Sequence, residues 1–162
     1  MSTTAALPIL ALPGLTNDQR LWQHQAAALG GAHPFTSFAL VPHATMGELA
    51  EMALARAPAG RFALLGLSMG GYCAFEILRR APERVAALAL LDTSARPDTA
   101  EQTALREQAI ESSAADYGAV MDAFLPRLVH PTRVADAALM PTLRAMALDL
   151  GRDAYVRQAS TR

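Results

Sequence analysis

Phe62-Ala63-Leu64-Leu65-Gly66-Leu67-Ser68-Met69-Gly70-Gly71-Tyr72 is the stretch whose reading decides the fold. Its first four residues form an unbroken apolar run, the pattern of a buried strand. A turn follows from Gly66 to Gly70, and residues 71–78 read as a helix. Strand, G-x-S-x-G, helix is the pattern of a nucleophile elbow. A serine hydroxyl is a weak nucleophile and has to stand alone at a sharp corner where a base can reach it. Such a corner brings together the residues two before and two after the serine, so glycine fits at Gly66 and Gly70. The helix that follows aims its free N–H groups and dipole at the reacting centre, favouring the negative oxygen formed in acyl transfer. Glycine is common enough for the bare motif to arise by chance, so its place between an apolar run and a helix carries the weight. The alternative is a glycine-rich turn in which Ser68 is an ordinary helix cap.

Outward from the elbow, the chain alternates apolar runs with helical patterns. Residues 7–12 read as a strand ending in Pro13-Gly14-Leu15. Thr16 and Gln19 have the spacing of a capping box, which predicts a helix over residues 19–29 that stops at Gly30-Gly31. Trp22 lies on one face of that helix, as core or close enough to the preceding loop to line a pocket. Residues 35–41 read as the next strand, with Pro42-His43-Ala44 as its loop. Thr45 and Glu48 repeat the capping spacing ahead of a helix that ends near Pro58. The helix after Ser68 ends at Ala81-Pro82, and residues 85–91 are another continuous apolar strand, ending in Asp92-Thr93-Ser94.

Strands that are apolar throughout predict an α/β fold: a mostly parallel sheet with helices on both faces. Right-handed crossovers put the C-terminal ends of such strands on one edge, where ligands bind at the point of reversed strand order. Leu15, Ser68 and Asp92 all fall on that edge. From Pro97 onward the pattern is helical, with Asp98 expected to cap a helix reaching about Ala115. Further helical stretches cover residues 117–129 and 132–150, and a helical tail starts at Asp153. Residues 1–96 are thus expected to be the N-terminal part of the α/β core, and residues 97–162 a helical lid. Met121, Phe124, Leu125, Met140, Leu143 and Met146 supply its apolar faces, mostly for packing.

The chain is 162 residues long, 52% hydrophobic and 18% charged, enough for one domain with a real core. A net charge of -1 gives no sign of a nucleic-acid surface or a polybasic membrane patch. The single Cys73 excludes an internal disulfide and a thiolate metal cluster, and reads as a small buried apolar residue. The first residues lack a basic n-region and a long apolar stretch. A soluble cytoplasmic protein with no cofactor or metal is expected.

Several motifs together resemble the α/β-hydrolase superfamily, in particular its compact bacterial members. They are Leu12-Pro13-Gly14-Leu15 with Asp18 and Trp22 after it, the elbow Gly66 to Gly71, the link Ala81-Pro82-Glu83-Arg84-Val85, and the strand end Leu91-Asp92-Thr93. The resemblance covers nearly the whole chain. It implies Ser68 as nucleophile, with the backbone N–H groups of Leu15 and Met69 as the oxyanion hole; Trp22, read first as core, is kept as a substrate-binding candidate for its nearness to the loop. Many relatives have His-Gly where this chain has Pro13-Gly14, a change that leaves the Leu15 N–H in place. The implied reaction cleaves a small ester, thioester or lactone through an acyl-enzyme, and carbon–carbon bond hydrolysis by relatives keeps the class open.

In the family the nucleophile is followed by an acid and then a histidine. Both are expected in a C-terminal part beyond these residues. None of His24, His33, His43 and His130 holds the family position, although His43 falls at the active edge; Asp92 sits where a minority of relatives place the acid. The strand at residues 85–91 is expected to be an open apolar edge, which invites pairing with another chain. That predicts a piece of a longer hydrolase, a second chain, or a swapped dimer that completes the sheet. The alternative is a non-catalytic scaffold that binds a partner along the same edge.

Overall fold

The computed structural model describes residues 6–41 and 45–161, so the expected loop at Pro42-His43-Ala44 lies outside it. β1 (Ile9–Leu12), β2 (Phe35–Ser37), β3 (Phe62–Leu67) and β4 (Val85–Leu91) form one parallel sheet in the order β2-β1-β3-β4. The chain runs from β1 outward to β2, then returns past β1 to β3 and β4. The order therefore reverses between β1 and β3, and their C-terminal ends meet there, with Leu12 opposite Gly66.

One face of the sheet is packed tightly. Leu10, Leu12, Phe62 and Leu64 pack with Leu49, Ala50 and Ala53 of α2 (Met46–Arg56) and with Cys73, Ala74 and Ile77 of α3 (Met69–Arg80). Period-two alternation is visible on β3, where Phe62 and Leu64 are fully buried while Ala63 and Leu65, which alternate with them, are only half-buried. The other face is covered by a 3-10 turn, Gln19–Trp22, whose Trp22 packs on Ile9 and Ala11; the short α1 (Gln23–Leu29) that follows has no buried residue. That cover stops short of β4, where Leu88 is 43% exposed and Leu90 39%. β4 is thus the open apolar edge expected from the sequence, at one side of a parallel sheet whose earlier strands are covered. A continuous apolar run says that a strand can be covered, not what covers it.

Local departures have local causes. β2 ends at Ser37 rather than residue 41, because β1 offers partners only as far as the pair Ala11 and Ser37, and Pro13 follows. Thr16 does not cap a helix. Its φ is +61°, and Asp18 takes the cap position by accepting the Arg20 backbone N–H at 2.8 Å. Thr45 and Glu48 do form the expected capping box. Ahead of α4 (Ala100–Ser112) the box is made by Thr99 and Gln102, while Asp98 pairs with Arg106 instead.

α5 (Tyr117–Phe124) runs into a 3-10 turn at Leu125–Leu128, where Pro126 removes a donor. α6 (Leu139–Ser160) is broken at Gly151, whose φ is +81°, into the two expected stretches. Met121, Leu125, Leu143, Met146 and Tyr155 make a second core among these helices. The Leu15 side chain packs against both cores and joins the helical segment to the sheet. Among the described residues, no helix is long and apolar enough to cross a membrane.

Candidate active site

Ser68 stands between β3 and α3 with φ 51° and ψ -116°, a backbone conformation that side chains other than glycine rarely adopt. Such a residue costs about 1–3 kcal/mol and persists only where its surroundings fix it. Here the end of β4 does so. The Ser68 N–H donates to the Leu91 carbonyl at 3.0 Å, and the Thr93 hydroxyl donates to the Ser68 carbonyl at 2.8 Å. The glycines around the serine are sterically required. A Cβ on Gly66 would lie 2.6 Å from the Gly70 carbonyl oxygen, and one on Gly70 would lie 2.2 Å from that of Leu12.

Ser68 is not an ordinary cap. Asp18, Thr45, Thr99 and Asp116 each accept a backbone N–H at the start of their helices. The Ser68 side chain accepts none, although it occupies the cap position of α3. Its hydroxyl faces open space and has no partner among the described residues.

The loop after β1 lies beside it, as the reversed strand order requires. A Cβ on Gly14 would be 3.4 Å from the Ser68 Cβ. This loop is a tight turn closed by the Asn17 N–H on the Gly14 carbonyl at 3.2 Å. The Thr16 hydroxyl donates to the Leu15 carbonyl at 2.6 Å, and the Thr16 N–H donates to the Gln158 side-chain oxygen at 3.0 Å. Gln158 is 2% exposed and donates its amide N–H to the Leu40 carbonyl at 3.1 Å. Neither the Leu15 N–H nor the Met69 N–H donates a hydrogen bond among the described residues.

Arg20 braces the same loop from outside. It bonds Asp18 at 2.6 Å and Asp149 of α6 at 2.8 Å. Burial pushes the Asp18 carboxyl up, but the Arg20 hydrogen bonds and charge outweigh it and hold the group below its ordinary value. Asp18 is thus a fixed anion that serves as cap and tie.

Two cavities open at Ser68. The larger, about 450 Å³, is lined by Leu15, Met69 and Tyr72 from the core and by Arg106, Phe124 and Tyr155 from the helical segment, among others. The smaller, about 280 Å³, is lined by Gly14, Asn17, Asp92 and Leu143, among others. Leu15, Ser68, Phe124 and Leu128 belong to both. The site therefore lies between the strand ends and the helices of residues 97–161.

Of the residues singled out in the sequence, the fold brings Ser68, Leu15, Met69 and Asp92 to these cavities. It does not bring Trp22, which is 2% exposed in the core against Ile9 and Ala11 and lines neither cavity. The core reading of Trp22 therefore holds, and its candidacy as a substrate contact is corrected. Its place beside the loop in sequence puts it one turn later, facing the sheet.

No described histidine lines either cavity. His33 is held by the Leu7 carbonyl, His130 by the Thr132 hydroxyl, and His43 lies outside the described residues. Among the described residues, no group of three His, Cys, Asp or Glu is placed to hold a metal. The sequence reading missed Thr93 and Gln158. Thr93 acts through one hydrogen bond and Gln158 through two, all to residues distant in the chain, which leave no periodic signal.

Comparison with known proteins agrees with this geometry. The family profile described as alpha/beta hydrolase fold matches residues 12–136, and the chain belongs to that family. Among proteins of curated function, none matches the sequence. Solved structures do match. An esterase from Thermogutta terrifontis, solved with malate bound, is 28% identical with a TM-score of 0.78 over 95% of this chain and 62% of its own. A hydrolase from Pseudomonas aeruginosa is 26% identical with a TM-score of 0.79 over 97% of this chain and 64% of its own. An enol-lactonase from Burkholderia xenovorans, at 23% identity and a TM-score of 0.77, shares the fold over 95% of this chain and 64% of its own. The chain thus spans less than two thirds of the length of these structures.

Proposed function

We propose that the protein is a serine hydrolase acting on a small ester, thioester or lactone through an acyl-enzyme on Ser68. The observation that carries this reading is the Ser68 backbone, held at φ 51° with its hydroxyl unpaired and facing the cavities. The Ser68 oxygen attacks the substrate carbonyl and gives up its proton to a base. The carbonyl oxygen takes the negative charge and accepts hydrogen bonds from the Leu15 and Met69 N–H groups. The tetrahedral centre collapses with loss of the alcohol or thiol, and water then releases the acid from Ser68. Losing one such donor typically lowers the rate by about 10²–10³. The base is a histidine and its partner an acid, both supplied from beyond residue 162. The absence of a histidine among the described lining residues and the greater length of the matched structures support this. Residues 97–162 serve as the lid over the acyl group, with Phe124 and Leu128 facing it. The esterase and enol-lactonase among the matched structures support an ester or lactone bond. The same proposal places the enzyme in the cytoplasm.

A second reading rests on the exposed β4. A partner chain, or a segment continuing this one, pairs along that strand and completes the sheet, either in the active hydrolase or in a non-catalytic scaffold. A fluorophosphonate probe separates the two. The hydrolase takes the probe on Ser68 when the histidine-bearing part is present, and Ser68→Ala abolishes the adduct. A folded protein that stays unlabelled under every condition leaves only the scaffold.

A further inference from the structure

We propose that Gln158 is a positioning residue for the loop that supplies the Leu15 N–H, an inference that rests on the hydrolase reading above. Gln158 comes from the last turns of α6, and its contacts on the loop and on Leu40 lie 142 and 118 residues away in the chain. Its side chain is 2% exposed, and both ends of its amide are engaged.

The partner on the loop is informative. Thr16 has a left-handed φ of 61°, in a turn position where glycine is the usual residue. The Leu15–Thr16 peptide needs an external partner to stay in that orientation. Gln158 supplies it by accepting the Thr16 N–H, while the Thr16 hydroxyl holds the carbonyl of the same peptide. Both polar atoms of the peptide are thereby fixed, the turn is closed by Asn17 on Gly14, and the Leu15 N–H is left free. The other end of Gln158 is anchored on Leu40, three residues after β2. Gln158 thus ties α6 to the loop after β1 and to the chain after β2, next to the reacting serine.

A core glutamine that merely fills space predicts lost stability on substitution and nothing more. A substrate-binding glutamine predicts a raised KM. A positioning residue predicts a lower kcat at constant KM, because the Leu15 N–H drifts from the place where the oxyanion forms.

The test uses the full-length protein, p-nitrophenyl acetate as substrate and a fluorophosphonate as probe. In Gln158→Ala, kcat and the Ser68 labelling rate fall about tenfold to a hundredfold, short of losing a whole donor. KM is unchanged, and exchange of the Thr16 amide proton speeds up. Gln158→Glu supplies the readout that a structural role would not move. Protonated, its carboxylic acid donates to Leu40 and accepts from Thr16, as the amide does. Ionised, it sets a negative oxygen against the Leu40 carbonyl. Burial raises the pKa of such a carboxyl, so the ratio of Gln158→Glu to wild-type kcat climbs as pH is lowered. If Gln158→Ala does not fold, this ratio alone decides. A kcat intact in Gln158→Ala, a change confined to KM, or a ratio flat with pH overturns the inference. A folded wild type that neither takes the probe nor turns over overturns the hydrolase reading and this inference with it. A labelled wild type beside an equally labelled Gln158→Ala overturns only the inference.

Discussion

Ser68 sits in a backbone conformation that suits glycine, and neighbouring residues hold it there: Leu91 at the end of β4, Thr93 just after it, and Gly66 and Gly70 by having no side chain. Ser68→Gly should therefore abolish activity yet stabilise the fold. Relief of the strained φ, less the entropy that glycine adds to the unfolded chain, gives about 1 kcal/mol. A melting temperature raised by about 2–4 °C is expected at this chain length, and calorimetry on the two proteins checks it. Cys73 carries a prediction of opposite sign. Burial, with a smaller contribution from Glu76, pushes its thiol up to about 12. Unfolding brings it back to about 8.5. Above that pH the unfolded chain loses a proton that the folded one keeps, so stability falls with rising pH by up to about 1.4 kcal/mol per unit. Cys73→Ala should flatten the alkaline limb of a urea-midpoint profile. At this scale the elbow was legible in the sequence, because its glycines answer a steric demand only a few residues wide. Trp22 was legible as core, but the 3-10 turn that carries it was not, because the pattern of residues 19–29 reads as one continuous helix.

Helix starts show how far a local pattern can be trusted. The spacing of a hydroxyl residue and an acidic or amide residue three later is present at Thr16, Thr45 and Thr99. It forms a capping box at Thr45 and Thr99 and not at Thr16. There the tight turn after β1 takes Thr16 for itself, and Asp18 caps instead. Thr45→Ala should then cost about 1 kcal/mol, seen as a lower denaturation midpoint, with amide exchange quickened first at the N-terminus of α2. α3 and β4 were placed closely by sequence, since Pro82 ends one and a continuous apolar run defines the other. The extent of β2 was not, since a strand lasts only as long as its partner.

Across the whole molecule, the reversal of strand order between β1 and β3 is what makes a site possible. It sets the Gly14 loop against Ser68, and Leu15 carries the helices of residues 97–161 onto that junction. That arrangement followed from the alternation of strands and helices. The open edge at residues 85–91 was legible too; how far the faces of β4 would be bare was not, because apolar runs in covered and uncovered strands look alike.

The uncovered strand also has a thermal signature. Heat capacity on unfolding reports apolar surface newly wetted, at about 12–15 cal/mol/K per residue for domains with closed cores. β4 is already wet along most of its length, so it contributes little to that increment. Calorimetry of the 162-residue chain should give a heat-capacity step below that per-residue norm. A partner that docks on β4 should raise the step toward it, which would make the curvature of the stability curve a direct reading of whether the sheet is complete.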